Sequence, residues 1–316
     1  MSSPLQSASI AAPGFFGLNT QESSVTLEDG FALVADNCVI DNYGRLGARK
    51  GWRYLTSGSS DVDLVGMHRF IDITGAETII SWSDTKFYTG VGTLTEVVPT
   101  TDNTITAGDW QCATLNDKAY FFQSGYKPMV FDPVADTITD VEDETDYSGT
   151  APQGNTVLSA YGRLWVADTS TDKMTVFFSD LLAGADWGTG SSGSINLESI
   201  LVNGTDEIVG LGAQNGQFIV FCKQNIVVFD DNTQGASFDP ATMRLVEVIS
   251  RVGCVARDSI QNTGLDIFFL SEDGLRSLGR VIQEKSLPMR DLSANVRDDL
   301  VADTQAETVS DIKSVY

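Results

Sequence analysis

Five times along the chain a turn residue opens the same run of polarity: an apolar strand, a short polar turn and a second apolar strand. The copies start at Gly75, Asn116, Gly162, Gly216 and Gly264, which stand 41, 46, 54 and 48 residues apart. The first copy shows the logic. Residues 65–70 read as a strand, 74–77 as a turn, and 78–82 as a β-branched and aromatic strand. A turn at 83–85 leads into a third strand at 86–88, and 94–98 makes a fourth. Four short strands in about 40 residues is the period of one antiparallel propeller blade. The inner strands carry unbroken apolar runs, such as Ala119-Tyr120-Phe121-Phe122 and Ile267-Phe268-Phe269-Leu270. Such runs suit strands buried on both faces, so the copies are expected to stack on one another.

The segments around the repeats behave differently. Residues 1 to about 20 are rich in Ser, Ala, Pro and Gly and read as an arm that orders only against something else. An extended stretch and a turn at Asn42-Tyr43-Gly44 then lead to a basic-aromatic segment, Arg49-Lys50-Gly51-Trp52-Arg53-Tyr54. Long loops at 140–155 (acidic, then Gly/Pro-rich) and 183–199 (Gly/Ser-rich) are the expected partner-contact decorations. After the fifth copy, Leu292, Val296 and Leu300 recur at spacing four behind Ser293 as N-cap, predicting one amphipathic helix. Val315 and Tyr316 read as the beginning of a further strand. The expected architecture is all-β: a β-propeller of four-stranded antiparallel blades, five recognisable, plus one short C-terminal helix. Residues 1–60 form an N-terminal arm and strands, 61–290 the blades, and 291–316 the helix and the start of another strand. Either the N-terminal strands or sequence beyond Tyr316 would complete the ring.

Charge narrows the function classes. The 316 residues carry 43 Asp and Glu against 20 Lys and Arg, a net charge of −23. Tight DNA binding needs clustered cations that neutralise phosphates, and no long basic run occurs; a surface that DNA passes without sticking remains allowed. Solubility alone also accounts for the acidity. Cys38, Cys112, Cys222 and Cys254 lack CxxC spacing, and Cys222 lies in the apolar run FIVFCKQNIVVF, so it is expected in the core. The start carries no basic-then-apolar secretory pattern, and no window approaches eighteen apolar residues, so the expectation is a soluble product of the cytoplasm without a membrane anchor.

Catalytic chemistry finds little support. The single histidine, His68, sits in an alternating strand, where a structural role outweighs membership of a nucleophile-base site. HExxH and CxxC patterns are missing, and Asp168-Thr-Ser-Thr-Asp172 lacks the glycine and distal glutamate of a calcium loop, which leaves an ordinary hairpin turn. The chain is therefore read as no enzyme, with no metal and no cofactor. The acidic run through Asp143, Glu144 and Asp146 carries no catalytic information in so acidic a protein; a solvated loop explains it. Trp-Asp and kelch Gly-Gly signatures are absent from the blades, and Ser271-Glu-Asp-Gly274 only approximates a sialidase aspartate box.

The collective pattern resembles the tail nozzle proteins (tail tubular protein B) of short-tailed bacteriophages. The resemblance rests on Gly17-Leu-Asn-Thr20, on Asn37 followed by Gly44-Arg-Leu-Gly-Ala-Arg49-Lys-Gly51-Trp52, on Asp186-Trp187 with Ser192-Gly-Ser-Ile-Asn196, and on residues 287–300. Related DNA-stabilisation plug proteins are similar as well. The resemblance implies a virion protein in a ring of six subunits, with an adaptor above, tail fibres or tip proteins below, and double-stranded DNA passing transiently through. It departs from the family in length, since typical nozzle proteins are much longer. Under this reading Phe15, Phe16, Trp52 and Trp187 are interface candidates, and Asp143, Glu144 and Asp146 are candidates for an acidic lumen. Packing of Phe15 and Phe16 on their own propeller is the competing expectation. The alternative function is a carbohydrate-binding or carbohydrate-degrading propeller of the phage depolymerase kind.

Overall fold

The computed structural model describes residues 14–41, 43–51, 53, 63–99, 109–202, 204–231, 238–283 and 292–315. An N-terminal module precedes the repeats. In it β1 (Gly17–Leu18) runs parallel to β2 (Phe31–Ala32), and β3 (Cys38–Ile40) forms a hairpin with β4 (Leu46–Ala48). These strands pair only among themselves, so they add no strand to a blade.

The rest is an all-β, five-bladed propeller of antiparallel sheets. The first blade holds β5 (Leu64–Ile71), β6 (Glu77–Ser83), β7 (Phe87–Thr89) and β8 (Thr95–Val97). The second holds β9 (Gln111–Leu115), β10 (Lys118–Phe122), β11 (Met129–Asp132) and β12 (Thr137–Asp140). The third holds β13 (Gly154–Ala160), β14 (Arg163–Thr169), β15 (Thr175–Phe178) and β16 (Gly193–Asn196). The fourth holds β17 (Ile208–Gln214), β18 (Gln217–Cys222), β19 (Asn225–Asp231) and β20 (Met243–Ser250). In the fifth, the described residues form three strands, β21 (Gln261–Asn262), β22 (Ile267–Ser271) and β23 (Gly274–Ser277).

The turn residues that mark the sequence repeat join the first and second strands of each blade. Asn116-Asp117, Tyr161-Gly162 and Asn215-Gly216 all have positive φ, between 46° and 77°. Two-residue turns of this hand match the twist of the flanking strands, and Asn and Gly adopt them at low cost. Tyr161 does so without either advantage. Its φ is 55°, and its ring stacks on Phe238 at 4.1 Å while its hydroxyl donates to the Gln217 carbonyl at 2.8 Å.

Period-two alternation within the second strands explains how the blades pack. Ala119 and Phe121 of β10 join the core with the first blade, while Tyr120 and Phe122 join the core with the third. Leu164 and Val166 of β14 face back, and Trp165 and Ala167 face forward to the fourth blade. The fourth blade repeats the device, with Phe218 and Val220 on one side and Ile219 and Phe221 on the other. Both faces of these strands are therefore apolar. Aromatic pairs cross the seams, including Trp82–Phe121 at 5.6 Å, Trp165–Phe218 at 4.2 Å and Phe221–Phe269 at 5.1 Å. Cys222 is buried in this core, as expected.

Past β23 the chain forms a short helix, α1 (Leu278–Gln283), not foreseen from the sequence, and later α2 (Arg297–Ala306). The expected C-terminal helix is present, but its cap and its face need correction. It begins after Val296, not after Ser293, and buries no residue. Ser293 has another partner: its Oγ accepts from the Leu275 N–H at 3.1 Å, while the Leu292 N–H donates to the Leu275 carbonyl at 3.0 Å. Residues 292–293 thus lie along the free edge of β23. Asp298 and Asp299 in the first turn of α2 suit the positive end of its dipole. Beyond it, residues 309–311 make a single 3-10 turn, and the further strand expected near Val315 is not formed among the described residues.

Candidate functional site: the axial cavity

The first strands of the second, third and fourth blades lie side by side, β9 against β13 and β13 against β17. Side chains tie these strands together. His68 Nε2 on β5 shares a hydrogen bond with Thr114 Oγ1 on β9 at 2.8 Å. Gln111 Oε1 on β9 accepts from the Val157 N–H on β13 at 2.6 Å, and Asn262 Nδ2 on β21 donates to the Ala213 carbonyl on β17 at 2.9 Å.

Arg257, in the 3-10 turn Arg257–Ser259 before β21, is the hub. Its Nη1 donates to the Asn155 carbonyl at 2.6 Å and to Asn155 Oδ1 at 3.0 Å. Nη2 donates to Asp109 Oδ2 at 2.7 Å, and Nε and Nη2 grip Asp258 at 2.9 and 3.0 Å. The rigid guanidinium fork thereby joins the fifth blade to the entries of the second and third. Lys313 completes the closure: its Nζ donates to the Val65 carbonyl of the first blade at 3.1 Å and lies 3.3 Å from Asp109 Oδ1. Ser314 binds the Asp258 carbonyl through both its N–H and its hydroxyl.

Between the first and fifth blades these groups border a cavity of about 430 Å³, walled also by Gly66, His68, Trp82, Trp110 and Cys112. Burial pulls the His68 pKa below its ordinary value, so the imidazole is neutral near pH 7. Burial pushes the Cys112 thiol well above its ordinary range, which disfavours the reactive thiolate. The buried indole N–H groups of Trp82 and Trp110 have no acceptor among the described residues. The cations of the wall, Arg257 and Lys313, are matched by Asp109 and Asp258. Hydrogen bonding and shape are what this arrangement offers a bound group.

The sequence-derived candidates lie elsewhere. Phe15 and Phe16 belong to the N-terminal module: their N–H groups donate to the Gly44 and Gly30 carbonyls, and the Phe16 ring lies 5.8 Å from that of Phe31. Both are exposed. Trp187 sits half-buried in the seam between the second and third blades, 6.2 Å from Phe122, with Nε1 donating to the Gly184 carbonyl. Trp52 lies outside the described residues. Asp143, Glu144 and Asp146 lie on the connection from β12, the last strand of the second blade, to β13, the first of the third. Glu144 is ion-paired with Lys118, whereas Asp143 and Asp146 are exposed. The Asp168–Asp172 segment is a hairpin turn in which Lys173 pairs with Asp168. Arg257, Asp109 and Lys313 went unnoticed in the sequence, since no local spacing relates them.

No protein-family model and no curated protein matches this sequence. Solved structures similar to the chain include YCF48 bound to D1 peptide, with 11% identity and TM-score 0.41 over 61% of this chain and 57% of that one. PorZ, a surface component of the type-IX secretion system of Porphyromonas gingivalis, gives 13% and 0.34 over 68% of this chain and 27% of its own. The AfRom2 CNH domain gives 10% and 0.41 over 78% and 70%.

Proposed function

We propose that this propeller is a structural, non-catalytic component of a short phage tail, assembling as a six-membered ring between an adaptor above and fibres or tip proteins below. Its task in the virion is to conduct the genome. The observation that carries this reading is the placement of charge. Arg257 and Lys313 bridge the entries of different blades, while the exposed Asp143 and Asp146, which form no ion pair among the described residues, stand on the connection between the second and third blades. In this reading the passage for DNA runs between copies, walled by exposed carboxylates that repel phosphate. Heterologous contacts that close after a fixed rotation generate such a ring.

The test is the mass of the purified chain in solution and its capture by portal-adaptor complexes. A ring-sized oligomer that joins them supports the proposal. A stable monomer that binds or cleaves glycans overturns it in favour of the carbohydrate reading.

A further inference from the structure

Most cations of the described chain are engaged by carboxylates, including Arg69 with Glu77, Lys86 with Glu96, Lys173 with Asp168 and Lys223 with Glu207. The β3–β4 ribbon and the residues after it are different. Arg45, Arg49, Lys50 and Arg53 are exposed or half-exposed, and none forms an ion pair among the described residues. Arg45 instead lies over the ring of Tyr43, 5.5 Å from its centroid, and that tyrosine is 83% exposed. A two-stranded ribbon alone is marginal in water, yet every residue of β4 is exposed.

An opposite surface exists on the same chain. Helix α2 buries no residue and presents Asp299 and Asp303 to solvent, with Glu307 just past its end, again without ion pairs among the described residues. The N-terminal module touches the approach to this helix, where the Thr20 N–H donates to the Asn295 carbonyl at 2.9 Å. Even so, the ribbon cations and the helix carboxylates do not meet within one molecule.

We propose that the cationic ribbon of one copy docks on the acidic helix α2 of a second copy of this chain. The contact is heterologous, so an open assembly keeps one free ribbon at one end and one free helix at the other until it closes. A second copy fits better than nucleic acid because the ribbon is also apolar. Val39 and Leu46 of the ribbon are 53% and 49% exposed, beside the exposed Tyr43 of its turn, and aromatic, aliphatic and arginine side chains together make a protein-protein surface.

This inference deepens the ring reading above and rests on self-association, not on six-fold closure. The test compares the full chain with R49Q/K50Q and D299N/D303N by sedimentation velocity across protein concentration and salt. All four side chains are exposed, and unchanged circular dichroism and melting confirm intact folding. The full chain is expected to self-associate, more weakly as salt screens the contact. Each variant should associate at least about tenfold more weakly, or roughly 1.4 kcal/mol. A mixture of the two should pair one to one and stop, because only one intact ribbon and one intact helix remain. Association unchanged in either variant, a mixture that does not pair, or a full chain that stays monomeric overturns the contact. So does loss of duplex-DNA binding by R49Q/K50Q with self-association intact, which would assign the ribbon to nucleic acid. A dimer or open chain that needs Arg49 and Lys50 keeps the contact and overturns the closed ring; a closed ring indifferent to both variants does the reverse.

Discussion

The guanidinium of Arg257 donates to the Asp109 carboxylate at 2.7 Å, joining residues 148 positions apart on different blades. Neither residue belongs to a strand, and both sit where a blade is entered. The pair fastens the sheets together on the polar side, while the aromatic seams do so on the apolar side.

Replacing Arg257 with Met should leave Asp109, Asp258 and the Asn155 carbonyl without their shared donor. Breaking a buried ion pair from one side costs about 3–5 kcal/mol, and the Arg257 side chain is only 6% exposed. Denaturant unfolding should register a loss of this order. Arg257→Lys should recover little, since a single ammonium cannot span three acceptor groups. A Met variant as stable as the parent would show that the hub contributes nothing.

Gly66 tests the packing of the first blade. A methyl group there would stand 2.4 Å from the Trp82 ring, although the glycine has ordinary backbone torsions. Gly66→Ala should therefore destabilise by overpacking, by about 1–3 kcal/mol. The effect should shrink when Trp82 is first replaced by Leu, and a double-mutant cycle measures that coupling. Equal costs in both backgrounds would rule out the steric cause.

Tyr161 supplies a pH dependence. Burial, with a smaller contribution from the Asp230 charge, pushes its pKa from 10.0 to about 12. The unfolded chain loses this proton first, so stability is unaffected well below pH 10 and falls as pH rises from 10 towards 12. Tyr161→Phe should remove that share of the alkaline decline, at the cost of the bond to Gln217. Spectroscopic tyrosine titration should show late ionisation in the parent. An alkaline melting profile unchanged by the substitution would exclude the residue.

The blades were legible because their turns and strands are local. Asn116-Asp117 and Asn215-Gly216 announce tight hairpins, and runs such as 119–122 announce strands buried on both faces. The start of α2 differs because the hydroxyl oxygen of Ser293, a good cap by residue type, accepts from the Leu275 N–H on β23 instead. Arg257 was invisible for a related reason. Its partners come from the entries of three blades, and only closing the ring brings them together. His68 could be placed in its strand, but not its bond to Thr114, which depends on how adjacent blades align.

The bond from Lys313 to the Val65 carbonyl spans 248 residues. On a ribosome adding roughly 5–20 residues per second, the first blade waits on the order of tens of seconds for this partner. During that time its outward face has no fifth blade across from it. Contacts of such separation form late and slowly, so the first and fifth blades stay unjoined for much of the protein's synthesis. That interval, more than the finished fold, is where a chaperone would have to act.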